Sequence, residues 1–294
     1  MILGANGMLG YTLLRYLGAN SDYRIYGTVR GAEPELPGRG AATLYGGVDV
    51  DNVNRLRAVL DEVRPDVVVN GIGLVKQREN AFDPLLAVSV NTWLPHWLAS
   101  WCDAHGARLI HFSTDCVFAG DRGNYSESDR ADADDLYGRS KRLGEVDYGG
   151  HLTLRTSLIG HELANRLSLI DWFLGSDGVV SGYAGAVFSG LPTVEIGRLL
   201  ADYILPRPEI RGLHHLGGEP IDKDRLLRLV ARTYGHEVEI RRSETPVLDR
   251  SLNSERLCAL LGYQPPAWEQ LLAEMHLDYL QHYAPLRRTK AYQP

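Results

Sequence analysis

A tyrosine and a lysine four residues apart, Tyr137 and Lys141, carry the clearest chemistry in this 294-residue sequence. The sequence predicts a helix from Tyr137 to Tyr148, and residues at positions i and i+4 of a helix lie on one face. A tyrosine hydroxyl normally has a pKa of ~10, and a neighbouring ammonium group favours the phenolate. We therefore expect the pair to give or take a proton near neutral pH, although the same spacing also occurs on solvated helices without a catalytic role.

A glycine-rich turn lies near the start of the chain. The segment from Gly4 to Gly10 follows a short apolar stretch and precedes leucines at helical spacing, which predicts a strand, a turn and a helix. Glycines there let the backbone approach a pyrophosphate, and the helix N-terminus offers free amides to its charge. Because only three residues precede Gly4, we expect a short first strand, either clipped or begun late in the recorded sequence.

A second segment that could bind a ligand runs from Arg108 to Asp115. Its apolar residues predict a buried strand, which ends in the hydroxyl residues Ser113 and Thr114. Parallel α/β sheets bind their ligands at the carboxyl ends of their strands. We therefore expect a hydroxyl from this strand end to lie beside Tyr137.

Strand and helix signals alternate through the first half of the chain, which predicts an α/β fold of the Rossmann type with a doubly wound parallel sheet. The predicted strands are Tyr23–Val29, Thr43–Gly46, Asp66–Asn70, Arg108–Thr114 and Leu152–Thr156. The predicted helices between them are Asn52–Val63 with Asp51 as its cap, Asp83–Ala104 and Tyr137–Tyr148.

The pattern becomes irregular after Arg155. Helices are predicted there at Leu167–Leu174, Val194–Ile204, Lys223–Tyr234 and Trp268–Tyr283. We expect residues 1–158 to form an NAD(P)-binding Rossmann domain. Residues 159–294 are expected to form a smaller, mixed α/β region that mainly binds substrate, with some segments returning to the Rossmann sheet.

In this order, the three segments resemble the extended short-chain dehydrogenase/reductase family. Its glycine motif is matched by Gly4, Gly7 and Gly10, and its catalytic residues by Thr114, Tyr137 and Lys141. Within the family, the sequence is most similar to the dTDP-4-dehydrorhamnose reductases, because residues 113–118 resemble their Ser-Thr-Asp-Tyr-Val-Phe and their Gly-Glu follows at residues 144–145. Residues 251–257 resemble a C-terminal motif of the same enzymes.

The resemblance implies an NADPH-dependent reductase of a nucleotide-linked 4-keto-6-deoxyhexose, in deoxysugar or polysaccharide precursor biosynthesis. Hydride would pass to the substrate carbonyl carbon while Tyr137 protonates the developing alkoxide. Lys141 would hold the cofactor ribose and lower the pKa of the tyrosine, and Thr114 would hydrogen-bond the carbonyl oxygen. General acid catalysis of this kind is typically worth ~10²–10⁴-fold.

The choice of cofactor depends on Arg30, at the end of the second predicted strand. NAD enzymes usually carry an acid there, whereas an arginine accommodates a 2′-phosphate, so we expect NADPH, with NADH possible. A solvated surface arginine is the alternative. Asn91 matches an asparagine behind the family's active site, or is a buried structural amide. The expected cofactor contacts are Gly4, Asn6, Gly7, Met8, Leu9, Gly10, Arg30, Asp49, Val50, Asn70, Gly71, Gly73, Ser113, Tyr137 and Lys141.

A nucleotide-diphosphate sugar would need cations, for which the sequence offers Lys76, Arg166, Lys223 and Arg250. The expected substrate contacts are Lys76, Asp115, Cys116, Val117, Phe118, Arg166 and Arg250.

Cys116 departs from the tyrosine of the reductases, and GDP-fucose synthase carries an epimerising cysteine at the corresponding place. A combined epimerase/reductase is therefore one alternative, but residues 165–168 lack the second acid/base, and His161 does not match its position. Cysteine is also often a small buried residue. A non-catalytic NADP-binding regulatory subunit is a further alternative, from another class of protein.

The composition limits the kinds of partner and the compartment that we expect for the protein. A net charge of -6 without a concentrated basic stretch argues against nucleic acid as a partner. Three unpaired cysteines favour a reducing compartment, and no apolar stretch reaches the ~20 residues of a membrane helix, so we expect a cytoplasmic protein. The adjacent histidines His214 and His215 would point to opposite sides of a strand, so no metal site is expected. A homodimer is possible.

Overall fold

A parallel sheet of seven strands forms the centre of the protein, in a computed structural model that describes residues 1–32, 36–74, 83–163 and 167–287. The described residues contain strands of this sheet and of smaller sheets. In chain order they are β1 Ile2–Leu3, β2 Tyr26–Thr28, β3 Thr43–Tyr45, β4 Val67–Asn70, β5 Arg108–Thr114, β6 Leu152–Thr156, β7 Leu158–Ile159, β8 Val179–Tyr183, β9 Ala186–Phe188, β10 Leu191–Pro192, β11 Gly212–His215, β12 Ile221–Asp222, β13 Glu239–Ser243 and β14 Leu248–Asp249. The order of the strands in the seven-stranded sheet is β11-β6-β5-β4-β1-β2-β3, and every neighbouring pair in it is parallel.

The helices flank this sheet and build the C-terminal region. They are α1 Met8–Asn20, α2 Val53–Val63, α3 Pro84–Ala87, α4 Leu94–His105, α5 Leu136–Leu143, α6 Leu169–Leu174, α7 Thr193–Leu199, α8 Lys223–Tyr234, α9 Glu255–Leu261, α10 Trp268–Asp278 and α11 Ala284–Arg287. π-helical segments at Val88–Trp93, Leu200–Ile204 and Tyr279–Tyr283 extend α3, α7 and α10. Among the described residues, no helix is long and apolar enough to cross a membrane.

Side chains of alternate strand residues enter separate cores on the two faces of the sheet. Val68 and Leu109 pack with buried leucines of α2 and α4, whereas Val69 and Ile110 pack with buried residues of α1 and α7. Helices therefore cover both faces, and the predicted doubly wound Rossmann fold is confirmed.

The C-terminal region is a smaller mixed α/β structure, as predicted. It contains the parallel pairs β8/β13 and β7/β10, and β9 lies between antiparallel β12 and parallel β14. Strand β11 leaves this region and joins the edge of the main sheet beside β6. The domain boundary near residue 158 stays a prediction.

Helix α10 and its π-helical extension fasten the C-terminal region to α1. Arg15 makes a bidentate ion pair with Asp278 at 3.0 Å for both bonds, and the hydroxyls of Tyr283 and Thr12 lie 3.0 Å apart. The Arg15 side chain is buried, so the pair is shielded from water and salt. The helix that follows the glycine turn is thus held from both sides, by the sheet and by the C-terminal region.

Several predicted elements need correction. The cap of α2 is Asn52, whose side chain accepts the Arg55 N–H at 3.2 Å, rather than Asp51. Helix α5 ends at Leu143 rather than Tyr148, because Gly144 turns against the Asn91 carbonyl, where a side chain would overlap it. The helical run from Pro84 to His105 contains a π-helical segment, and β2 is shorter than predicted. Strands β5 and β6 and helix α8 have the predicted bounds.

A substitution at Gly10 tests how closely α1 packs on the glycine turn. An added Cβ there would overlap the Gly4 carbonyl oxygen, so we expect Gly10→Ala to lower the free energy of unfolding by about 1–3 kcal/mol. Gly18, on the same helix, is the matched control, since its added Cβ would lie 3.6 Å from the nearest atom, an ordinary contact. Gly18→Ala should stabilise the helix by about 0.5–1 kcal/mol. Urea unfolding measures both, and equal effects of the two substitutions would contradict this packing argument.

Candidate active site

The glycine turn after β1 leaves a cradle that side chains would fill. Gly4 has a positive φ of +76°, and Gly10 lies against the Gly4 carbonyl. Gly7 is the N-cap of α1 and provides no side-chain hydrogen bond, so the first amides of the helix are available to an anion. Asn6 is exposed, whereas Leu9 is buried in the core and supports the turn from below. The cradle fits the pyrophosphate of a dinucleotide.

Thr114, Tyr137 and Lys141 meet at the carboxyl end of β5. Thr114 is the last residue of that strand, and its hydroxyl lies near Tyr137 on α5, where it acts to lower the pKa of that tyrosine. The Lys141 ammonium group donates to the Phe112 carbonyl at 2.7 Å. The helix reaches this position because Gly138 lies directly against the Cys116 carbonyl, where a side chain would overlap it.

Burial is the largest cause of the pKa shifts of Tyr137 and Lys141. It raises the pKa of Tyr137 above its ordinary value, and the nearby Cys116 and Asp115 add to the rise. Burial also lowers the pKa of Lys141 to about 8, against the opposing charge of Glu145. Desolvation opposes the charged form of each partner, and the expectation that Lys141 lowers the pKa of the tyrosine stays a prediction.

Two asparagines hold the loop that follows β4 against Lys141. Asn91 accepts the Leu74 N–H at 3.1 Å and donates to the Ser140 hydroxyl at 3.1 Å. Asn70 accepts the Ile72 N–H at 3.1 Å. A Cβ added at Gly73 would lie 3.8 Å from the Lys141 ammonium nitrogen. Gly73 therefore brings backbone, rather than a side chain, next to the lysine, whereas Gly71 lies against the Leu3 carbonyl.

A buried ion pair lies below the strand end. Glu145 and Arg155 form two hydrogen bonds of 2.7 Å, and their side chains are only 9% and 6% exposed. Ser113 donates its hydroxyl to the same carboxylate at 2.8 Å, so this side chain points into the ion pair rather than towards a cofactor. Sequence reasoning gave Glu145 no role, although its spacing of four residues from Lys141 was a usable signal.

Arg250 approaches the site from the C-terminal region, and its role as a substrate contact stays a prediction. Its guanidinium donates to the Phe118 carbonyl at 2.9 Å and lies 3.5 Å from the Cys116 sulfur. Burial and the charge of Asp115 raise the pKa of the Cys116 thiol to about 12. Val117 and Phe118 were expected to contact substrate, but both side chains are fully buried in a small core, which leaves only their backbone for such contact.

Comparison with known proteins gives the family. A family model described as the RmlD substrate binding domain matches residues 1–166. The chain belongs to this family. One relative is the probable low-salt glycan biosynthesis reductase Agl14 of Haloferax volcanii, 34% identical over 49% of this chain and 46% of its own length. Another is the dTDP-4-dehydrorhamnose reductase of Aggregatibacter actinomycetemcomitans, 26% identical over 75% of this chain and 73% of its own length.

Solved structures share the fold of this RmlD-family chain at low identity. The dTDP-4-dehydrorhamnose reductase of Bacillus anthracis in complex with NADP has a TM-score of 0.75 and 20% identity, covering 94% of this chain and 98% of its own. The Bordetella bronchiseptica enzyme WbmG in complex with NAD and UDP has a TM-score of 0.76 and 18% identity, covering 99% and 96%. The chain spans about half the length of several curated relatives that it matches.

Other predicted site residues are more peripheral or lie outside the described part of this family member. Arg30 is exposed after β2 and Lys223 begins α8. Asp49 accepts the Asp51 N–H at 3.2 Å, and Val50 is half-buried. Lys76 and Arg166 lie outside the described residues. In the described ranges, no group of three or more His, Cys, Asp or Glu side chains could hold a metal ion.

A substitution at Glu145 tests how much the buried ion pair contributes to stability. Glu145→Gln leaves the Arg155 guanidinium buried without its carboxylate, so we expect a loss of about 3–5 kcal/mol in the free energy of unfolding. Glu239→Gln is the control, because it breaks an exposed pair with Arg241 and should cost less than about 0.5 kcal/mol. Urea unfolding compares the variants. A Glu145→Gln protein as stable as the control would show that the pair is not essential.

Proposed function

We propose that the chain is an NADPH-dependent reductase that converts the keto group of a nucleotide-linked 4-keto-6-deoxyhexose to a hydroxyl. The observation that carries the proposal is the meeting of Thr114, Tyr137 and Lys141 at the strand end, on the sheet whose glycine turn forms a pyrophosphate cradle. Open α/β sheets bind ligands at this edge. The names of the relatives, dTDP-4-dehydrorhamnose reductase among them, support the same chemistry.

The residues suit reduction because Tyr137 keeps its proton. A bound nicotinamide cofactor supplies the hydride. Tyr137, whose pKa is raised, donates its proton to the alkoxide that develops on the substrate oxygen. With the ribose bound, Lys141 can exchange its bond to Phe112 for ribose hydroxyls, and its charge then stabilises the phenolate left behind. The α1 amides hold the pyrophosphate, which fixes the cofactor beside the tyrosine.

Arg30 favours NADPH over NADH. It is exposed directly after β2, where a guanidinium can pair with the 2′-phosphate by charge-assisted hydrogen bonds. The structure of the Bacillus anthracis relative with NADP agrees with this choice, while the NAD complexes of WbmG and WbmH keep NADH as a second candidate.

The relatives constrain the nucleotide of the proposed substrate less than its sugar. The relatives are named for dTDP-linked substrates, whereas WbmG was crystallised with UDP. Arg250 is the cation that we assign to the substrate, because it reaches the strand end beside Cys116. A guanidinium there can bind sugar oxygens or a phosphate of the diphosphate.

Two alternatives are less well supported. Epimerisation by Cys116 needs a thiol that gives up its proton, but burial raises its pKa to about 12. His161 is no partner for it, because its ring nitrogens bond Asp171 at 2.6 Å and Tyr234 at 2.9 Å in a separate buried cluster. A purely regulatory NADP-binding subunit would not need Thr114, Tyr137 and Lys141 at one strand end, which favours catalysis.

We also propose a homodimer, because helical residues expose an apolar face. Leu85, Val88 and Trp93 are exposed along one helical run, and Leu143 and Tyr148 are exposed beside it. The His96 side chain joins these groups by hydrogen bonds of 2.7 Å to the Tyr148 hydroxyl and the Leu143 carbonyl. Exposed apolar side chains of this kind are typical of a protein interface, and a second copy of the chain offers the matching face.

The dimer is tested by Leu85→Glu with Val247→Glu as control. The two residues are equally exposed, at 81% and 80%, but Val247 lies between β13 and β14, away from the face. We expect light scattering to give the mass of two chains for the wild type and the control, and of one chain for Leu85→Glu. A wild type that has the mass of one chain contradicts the dimer.

The activity is tested with dTDP-, UDP- and GDP-linked 4-keto-6-deoxyhexoses and both reduced cofactors, by following nicotinamide absorbance and analysing products by NMR. We expect turnover with one nucleotide and a preference for NADPH. Tyr137→Phe should lower kcat by ~10²–10⁴-fold while cofactor binding is kept, because the general acid is lost. The exposed Tyr23 is the control, and Tyr23→Phe should leave kcat unchanged. If none of the nucleotide sugars is reduced although the protein binds the cofactor, the regulatory subunit is favoured.

A further inference from the structure

Residues 248–254 form an extended segment, here called the strap, which runs between the C-terminal region and the loop after β5. On one side, the strap begins as β14, which pairs with β9, and the Arg250 N–H donates to the Val187 carbonyl at 3.0 Å. On the other side, the Asp249 N–H donates to the Gly120 carbonyl of the loop at 2.8 Å. The strap contains the start of the C-terminal motif at residues 251–257, to which the proposed function gives no role.

Ser251 fastens the strap to the loop. Its carbonyl accepts the Tyr125 N–H at 2.9 Å, and the Tyr125 carbonyl accepts the Asn253 N–H at 2.7 Å. The Ser251 hydroxyl oxygen accepts the Asn124 N–H at 2.8 Å. Ser251 is only 2% exposed, so water does not compete easily for these bonds. The residue therefore holds the loop with both its backbone and its side chain.

Two glycines let the strap approach the loop closely. Gly120 and Gly123 have positive φ values of +90° and +74°. A Cβ added at Gly120 would lie only 2.9 Å from Cγ of Arg250, and one added at Gly123 would overlap the Asp249 carboxylate. The loop backbone therefore lies directly against the side-chain stem of Arg250.

The loop also binds the guanidinium of Arg250. Its Nε donates to the Phe118 carbonyl at 2.9 Å, its Nη2 donates to the Ala119 carbonyl at 3.4 Å, and its Nη1 lies 3.5 Å from the Cys116 sulfur. A guanidinium has five N–H groups, so one N–H remains on each of the two Nη nitrogens. Such a pair can bind two oxygens of a ligand at once, provided that the guanidinium keeps its direction.

We propose that Ser251 is a positioning residue, which fixes the direction of the Arg250 guanidinium by holding the strap against the loop. Arg250 and Ser251 are neighbours in the chain, so a strap that shifts at Ser251 carries Arg250 away from the carbonyls of residues 118 and 119. The N–H groups left for a substrate then lose their fixed direction. The binding of substrate by Arg250 rests on the proposed function, whereas the hold of Ser251 on the loop does not.

Ser251→Ala removes the side-chain bond to Asn124, and Ser254→Ala is the matched control. The Ser254 hydroxyl donates to the Gly217 carbonyl at 2.9 Å and not to the loop. Each variant loses a hydrogen bond made by a serine of the strap, so both should lower the free energy of unfolding to a similar extent in urea. A difference between them in the behaviour of Arg250 is then not a general loss of stability.

The first measurement is the rate at which the Arg250 Nε–H exchanges with water, followed by nitrogen-15 NMR. The signal is assigned by its loss in Arg250→Lys. In the wild type the bond to Phe118 protects this N–H. We expect exchange to be at least about threefold faster in Ser251→Ala and unchanged in Ser254→Ala. Equal exchange rates in the wild type and Ser251→Ala would overturn the proposal.

The second measurement is the KM for the nucleotide sugar that the activity panel identifies. We expect Ser251→Ala to raise this KM by about threefold to tenfold, because a guanidinium without a fixed direction binds more weakly. The kcat and the affinity for NADPH should be kept, since the strap does not hold the catalytic trio or the glycine turn. In an Arg250→Ala background, Ser251→Ala should raise KM no further. An unchanged KM in Ser251→Ala, or a further rise in that background, contradicts the positioning role.

The two measurements separate this proposal from the proposed function, because the NMR experiment needs no turnover. If the wild type reduces none of the nucleotide sugars but Arg250 exchanges faster in Ser251→Ala, the proposed function is refuted and the hold of Ser251 is supported. If the wild type reduces a nucleotide sugar but the exchange of Arg250 is unchanged in Ser251→Ala, the role of Ser251 alone is refuted.

Discussion

The close packing of α5 against the end of β5 is the constraint on which the site depends. Gly138 lies against the Cys116 carbonyl, and Gly144 lies against the Asn91 carbonyl at the other end of the helix. A side chain at either position would push the helix away from the sheet. Tyr137 and Lys141 would move with the helix, away from Thr114 and from the Phe112 carbonyl that Lys141 bonds. Two positions without a Cβ therefore fix the distance between the strand end and the proton donor.

Such close packing buries charged groups, and the surrounding residues offset that cost. Lys141 is buried, and its ammonium group is held by a backbone carbonyl and favoured by the charge of Glu145. Glu145 in turn is paired with Arg155 and accepts from Ser113. Because a buried charge without a partner is expensive, each group depends on the next. The charged groups of the site consequently have partners before any ligand binds, which suits a catalyst that must hold a carbonyl beside a hydride donor.

The C-terminal region completes the site as well as covering it. Arg250 reaches back to the turn after β5, and the ion pair of Arg15 and Asp278 holds α1. The pyrophosphate cradle and the substrate side of the site are therefore supported by the same region. Displacement of that region would disturb both ligand positions together.

The sequence by itself determined the fold class and the family, and it predicted the catalytic trio. These are encoded locally: the glycine turn, the apolar strand that ends in Thr114, and the spacing of four between Tyr137 and Lys141 each need only a short segment. Buried strands such as β5 and β6 have the predicted bounds because both of their faces are covered, so apolarity marks their full length.

Only the tertiary structure decided the state of the protons and the partners of the charges. The sequence indicated that Lys141 would lower the pKa of Tyr137, but burial raises it, and burial depends on neighbours distant in the chain. The partner of Glu145 is ten residues away on β6, and Arg250 is 134 residues from Cys116. Spacing along a helix predicts which groups share a face. Desolvation and the pairing of charges depend on what packs against that face, which only the folded chain defines.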